Sequence, residues 1–497
     1  MLRYIDFNMA TRLTTILVAV IVGATFIAGL IVGAQRDDAS GPVDLIIVNG
    51  KVYPGAGADL QEAVAVRGNQ ILRVGSNREV KRLRRAQTVV LDAHGASVLP
   101  GLNDAQVQLM SGALTLDQLD LSPARTIDDI GTELRHYAQD KPEVSWLVGR
   151  NGDADLLATA NVPARTILDA AVQDRPVLVT SEDRTVAWAN SKALELAGIT
   201  GKTQNRAHGI VTRDRRTGEP TGVLKDGAVD LVTRVVPQPT RAQKLAALRS
   251  AISEAHRVGI TSVQSWSASD EELQLLEEIR QDGDLAVRVS ASIAVAPAIT
   301  EAQLIELNQL REQFPDDPAL KLGGVMVVCP CEPSQLERTV ALLDKHNWHV
   351  MVRTVDGAEV HAAVNAFEHA ADVNAEPARG RRVRLDENLL SDGQARILFG
   401  SNWPAASLDP RDAIEETVSA AGDLRNAIDA YTNHAAYASY DEQRKGTLAR
   451  GMLADIVILS NDIFDARPDA LGETEVMVTI FDGKIVYQRP PAVSSND

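Results

Sequence analysis

Three patterns of apolar and polar positions follow one another along the chain. The first, Leu13 to Gly33, is an apolar run without a single charged residue. As a helix it is roughly 30 Å long, which matches the hydrocarbon core of a bilayer. A secretory signal carries a shorter apolar region, about 7–15 residues. The pattern therefore predicts a retained transmembrane anchor over 13–34, with cleavage near Val32-Gly33-Ala34 as the minor alternative. Arg3 and Arg12 precede the run and Arg36 follows it. That asymmetry places residues 1–12 in the cytoplasm and the body outside it, on the periplasmic side in a Gram-negative bacterium. Gly29 and Gly33 give a GxxxG spacing that would allow helix pairing, and with it an oligomer, although small residues are common in such helices.

After a polar linker at 35–43, short alternating runs punctuated by turn residues predict strands. Residues 44–54 read as two strands around Asn49-Gly50, residues 63–75 as a hairpin around Gly68-Asn69, and residues 88–101 as a continuation. The far end repeats the pattern at 454–460 and at 476–488, where Asp482-Gly483 is the turn. Strand-rich ends around a long middle predict one composite β domain from 44–100 and 447–490, followed by a tail at 491–497.

In the middle, 101–446, short apolar runs alternate with amphipathic ones. Strands are expected at 146–149, 176–180, 260–264, 286–293, 324–328, 349–353 and 397–401, and helices at 241–259 and 270–283. Such alternation predicts an α/β fold with a (β/α) TIM-like barrel. An open doubly wound sheet is second, because no Gly-rich phosphate turn follows an early strand.

Hydrophobic residues make up 45% of the chain and charged ones 24%, so most of it should be globular. A net charge of −17 argues against nucleic acid as a partner. Cys329 and Cys331 are separated only by Pro330, and a bridge between them would be strained, so no disulfide framework is expected. A reactive thiol at this pair is the less favoured reading beside an inert buried cysteine.

Several segments together resemble the amidohydrolase superfamily, in particular its YtcJ-like branch, amidohydrolase family 3. PGLNDAQVQL at 100–109 is similar to that family's PGFIDxHxH segment, and WANSKALELAGI at 188–199 to its W-x-NS-x-AL-x-x-AG segment. TGEPTGVL at 217–224, GSNWPAASLDP at 400–410 and YTNHAAYAS at 431–439 resemble further segments in the family's order. GTLARGMLADIVIL at 446–459 is similar to the stretch that returns the chain to the β domain. The resemblance implies a barrel holding one or two divalent metals, such as zinc, at its C-terminal mouth, and hydrolysis of non-peptide C–N bonds. Such metals require imidazole, carboxylate or carbamylated lysine ligands.

Those ligands are absent at every position the resemblance assigns. The H-x-H pair is Gln106 and Gln108, the strand lysine is Met326, and the next strand's histidine is Arg353. A further histidine would fall near 384–388, where none occurs, and the proton-transferring aspartate is Asn402. Amide oxygens are poor ligands for a catalytic transition metal, and an amide cannot act as the base. Only about 50 residues separate Arg353 from Asn402, where two further strand–helix units belong, so the barrel should be incomplete near its sixth and seventh strands. The nine histidines show no close ligand spacing and read as structural.

The resulting expectation is a membrane-tethered pseudoenzyme with no metal cofactor, binding a small molecule or a protein partner. Arg353 and Asp356 are its candidate ligand-binding residues. Asp386 and Glu387 could join Asp356 in a metal-free acid/base set, against a bland reading as solvated loop acids. The competing expectation is an active hydrolase with an unorthodox site, and a third is pairing with a metal-bearing paralogue.

Overall fold

The computed structural model describes residues 42–491 apart from 154, 157–162, 206–207, 330–331, 355, 386–387, 392–393 and 468–470. The expected anchor at 13–34 lies outside the described residues. Among the described residues no helix is long and apolar enough to cross a membrane.

Strands from both ends of the described chain build a two-sheet β domain. One sheet is Gln70–Gly75, Ala63–Arg67, Leu45–Val48 and Val89–Asp92; the other is Lys51–Val52, Ser97–Pro100, Ile456–Leu459, Val476–Phe481 and Lys484–Gln488. Ile47, Val64, Val98, Ile456 and Ile480 close a shared core between them. The hairpins at Gly68-Asn69 and Asp482-Gly483 form as expected. The one at Asn49-Gly50 does not. Leu45–Val48 pairs with Ala63–Arg67 and Val89–Asp92, whereas Lys51–Val52 pairs with Ser97–Val98 in the other sheet. Asn49, at φ 57°, turns the chain from one sheet into the other, a left-handed conformation that asparagine tolerates.

The middle contains a curled sheet of eight strands. We number them β1 (Leu102–Val107), β2 (Ile260–Ser265), β3 (Arg288–Val295), β4 (Leu320–Val328), β5 (Val350–Arg353), β6 (Val383–Leu385), β7 (Asn388–Ser391) and β8 (Gln394–Ile397). The first six are parallel neighbours in that order, and helices Asp270–Gln281, Glu301–Gln313, Pro333–Lys345 and Gly357–Val373 connect β2 through β6. Then the pattern breaks, because β7 and β8 pair antiparallel with no helix between them. The result is a partial, curled parallel sheet instead of a complete barrel, and the break falls where the short Arg353–Asn402 interval anticipated it. The chain after β8 crosses to the free edge of β1. Ala105 N–H donates to Phe399 O (2.9 Å), Asn402 N–H to Gln106 O (2.7 Å) and Gln108 N–H to Trp403 O (2.9 Å).

The runs at 146–149 and 176–180, expected in the barrel, belong to a separate six-stranded sheet inserted between β1 and β2. Its order is Gly209–Arg213, Pro220–Asp226, Val186–Ala189, Val177–Ser181, Leu147–Gly152, Leu119–Asp120. Two apolar clusters, around Leu134 and Leu168 and around Leu194 and Val232, give this sheet its own core. Strand–helix alternation fixes local structure but not which sheet a strand joins. The family-like residues here are structural. Trp188 is buried against Gly152, where a Cβ would meet the indole at 2.5 Å, and Asn190 accepts from Val177 N–H and Ala193 N–H to cap helix Ser191–Leu196.

Candidate functional site

Asp104 and Gln106 lie on β1, where Gln106 N–H donates to Asp104 Oδ1 at 3.0 Å, and Gln108 follows the strand at the start of helix Leu109–Thr115. Gln106 is buried, and Gly400 packs against it so closely that a Cβ there would lie 2.6 Å from Gln106 N. Gln108 Nε2–H donates to Asn402 Oδ1 at 3.2 Å. Three of the expected former-ligand positions are thus together, held as an amide–amide contact in place of histidine and carboxylate. Met326 on β4 is fully buried and packs with Trp266 and Met351. Arg353 ends β5, half-buried, beside Val328.

The interior of the sheet is filled by a residue that the sequence reading passed over. Arg384 on β6 is 1% exposed. Its guanidinium donates to Gln264 Oε1 and to Ala105 O, and it lies 4.7 Å from the Trp266 ring centroid. Gln264 Nε2–H in turn donates to Ala435 O (2.8 Å), and the Trp266 indole N–H donates to Ala105 O (3.1 Å). Asp104 is the interior carboxylate. Burial raises its pKa to about 6, opposed by hydrogen bonds from Ser401 and Gln106 N–H and by the charge of Arg384. Glu272, 4% exposed, accepts from Ser265 Oγ (2.8 Å) at the end of β2. Burial pushes its pKa to about 7.

This donor set does not fit a divalent catalytic metal. Amides, a thioether and a guanidinium stand at the positions that would need imidazole, lysine and carboxylate, and the fixed cation of Arg384 occupies the interior. Among the described residues no three His, Cys, Asp or Glu side chains converge in a way that could hold an ion.

Asp356 is exposed and caps helix Gly357–Val373, accepting from Ala358 and Glu359 N–H at 2.9 Å. Asp386 and Glu387 lie outside the described residues. Cys329 is disulfide-bonded, against the expectation of an unbridged pair; Cys331, the chain's only other cysteine, is outside the described residues. Ring nitrogens of His256, His361 and His434 contact main-chain carbonyls, as structural histidines do. A cleft of about 460 Å³ opens beside the end of β3, lined by Asp270, Val295, Gln303, Glu306 and Leu310, a volume in the range of small-molecule sites.

Asp104 lies in the family-like segment two residues before Gln106, and that proximity is the signal that points to it. Arg384 gave a weaker signal, a cation in a three-residue strand, and Gln264 and Glu272 gave none.

Comparison with known proteins agrees with this architecture. The model of the amidohydrolase family matches residues 89–396 and 388–487. Protein LONG AFTER FAR-RED 3 of Arabidopsis thaliana is 24% identical over 89% of this chain and 91% of its own length. Putative amidohydrolase YtcJ of Bacillus subtilis is 24% identical over 87% of this chain and 97% of its own. N-substituted formamide deformylase of Arthrobacter pascens is 22% identical over 90% and 98%. An uncharacterized metal-dependent hydrolase from Pyrococcus horikoshii superposes with a TM-score of 0.65 at 17% identity, covering 86% of this chain and 99% of that one. With the two-sheet β domain, the curled parallel sheet and a family match running through both, the chain belongs to the amidohydrolase family.

Proposed function

We propose that this chain is an amidohydrolase-like pseudoenzyme, tethered to a membrane through residues 13–34, whose body binds a ligand without metal-dependent hydrolysis. One observation carries the reading: the buried Arg384 guanidinium occupies the interior that a metal centre would need, while Gln108 and Asn402 bond to each other at 3.2 Å. A charge fixed this way opposes a divalent cation by Coulomb repulsion in a poorly screened interior. The fold is retained although its chemistry is not, as binding alone requires. The cleft beside β3 is the place for a small-molecule ligand.

The competing reading, an active hydrolase of non-peptide C–N bonds, is supported by relatives named as amidohydrolase and formamide deformylase. Incubating the full chain, loaded with zinc or manganese, with N-substituted formamides and cyclic imides separates the two. The pseudoenzyme reading expects no turnover above buffer. Turnover that disappears in Asn402→Ala would sink it.

A further inference from the structure

Over one short stretch of the β domain the charge of this acidic chain is reversed. Arg78, Lys81, Arg82, Arg84 and Arg85 stand there against a single acid, Glu79, in a chain whose net charge is −17. All five cations are exposed. Beneath them, Val80 of helix Asn77–Lys81 packs with Val43, Ile46 and Ala65, and Leu83 joins from the turn that follows. This is the face of the first sheet turned away from the core that the two sheets share. The apolar side of the segment is thus used up, and the cations are left facing solvent.

The acids nearby are already engaged. Glu79 accepts from Ser76 N–H and pairs with Arg73, and Glu62 accepts from Asn77 N–H. Asp92 accepts from the Asn49 side-chain amide and from His94 N–H. Lys81 donates to Asn49 Oδ1 (3.1 Å) and Arg85 to Arg84 O (3.1 Å), both neutral acceptors. Among the described residues no carboxylate lies within ion-pair distance of Arg78, Arg82, Arg84 or Arg85.

We infer that this basic face is a docking surface for an anionic lipid bilayer, the one that carries the anchor. The inference rests on the tether proposed above. Position selects the partner. Thr88 Oγ1–H donates to Val43 O (2.6 Å) and Val89 N–H to Asp44 O (2.8 Å), so the basic segment is tied to the residues that follow the linker. Residues 35–43 separate anchor from body, and nine residues reach at most about 30 Å. A tether of that length keeps the patch at high effective concentration beside the membrane. Charges on a wet surface act over a Debye length of about 8 Å, so the local cluster outweighs the distant acids that set the net charge. Clustered cations next to a membrane anchor are drawn to anionic headgroups. Val89 and Val90, 49% and 38% exposed on the edge strand that follows, add apolar surface at the same place.

The test places the full chain in nanodiscs of phosphatidylcholine, alone or mixed with phosphatidylglycerol, and reads amide hydrogen exchange over residues 77–92 by mass spectrometry. Exchange there should be slower by about threefold or more in the anionic discs, and the difference should vanish at high salt. Arg82→Glu, Arg84→Glu and Arg85→Glu together should abolish it with the melting temperature unchanged, since all three side chains are exposed. The same three positions changed to lysine should retain it. Equal exchange in the two kinds of disc, or slowing that survives the glutamate changes, would overturn the inference. Slowing by duplex DNA or an acidic polypeptide, with none from anionic discs, would assign a different partner and overturn it too. The tether is read separately, by co-elution with neutral discs. A chain that elutes apart from them has no anchor, and exchange with and without excess anionic vesicles then decides the docking surface by the same criterion.

Discussion

Replacing Arg384 with methionine asks whether the guanidinium holds the interior together. The substitution keeps an unbranched side chain but removes the donors to Gln264 Oε1 and Ala105 O, the contact with the Trp266 ring, and the charge that favours ionised Asp104. A hydrogen bond from a charged donor is worth about 1.5–3 kcal/mol. Without that donor Gln264 Oε1 and Ala105 O stay buried, and a buried acceptor left unsatisfied costs about 1–3 kcal/mol. The two figures describe one loss and are not additive, so the expected destabilisation is about 1.5–3 kcal/mol. Asp104 should respond too, with its pKa rising above about 6 once the lowering charge is gone. Urea unfolding of the full chain at pH 7, followed by tryptophan fluorescence, measures the first effect, and NMR of a labelled Asp104 carboxyl measures the second. A loss below about 1 kcal/mol would mean that water already satisfies these groups. The interior would then be open enough for an ion, and the argument against a metal would fail.

Three further outcomes follow from the same geometry. Glu272 has a folded pKa of about 7, above the ordinary 4.5, so its contribution to stability is complete below pH 4.5 and is lost as pH rises through 7. Glu272→Gln should therefore match the wild type near pH 4.5 and exceed it by up to about 3 kcal/mol at pH 8 in urea unfolding; a difference independent of pH would contradict this. Gly400→Ala should destabilise by about 1–3 kcal/mol, since its Cβ would press on Gln106 where the chain after β8 closes on β1; an unchanged urea midpoint would show that this contact is loose. Restoring the family's residues with Gln106→His, Gln108→His and Asn402→Asp together should still fail to retain zinc through dialysis, because Arg384 remains; stoichiometric zinc would show that the guanidinium is no obstacle.

The β domain was legible because a period of two with turn residues at fixed offsets is a local signal, and both the Gly68-Asn69 and Asp482-Gly483 hairpins are local. Asn49-Gly50 misled for the same reason. Its turn chemistry is real, but the strands on either side find their partners more than ten residues away, in different sheets. Loss of the metal ligands could be read from identity alone, since no packing converts Gln106, Gln108 or Asn402 into the required donors. What fills the space could not. Arg384 and Gln264 are 120 residues apart and meet only because β6 and β2 curl around one interior. A cation in a short strand reads as exposed until its partners are known. The inserted sheet at 119–226 was misplaced because its strands have the same composition as barrel strands, and what separates them is the apolar clusters that cover its two faces.

On the proposed reading this amidohydrolase fold has given up its metals. Elemental analysis of the full chain, expressed with added zinc, manganese and iron and then dialysed, tests it most directly. The expected result is metal far below one ion per folded chain, with circular dichroism unchanged by a chelator. One or two ions per chain that survive dialysis, and whose removal lowers the melting temperature, would contradict it.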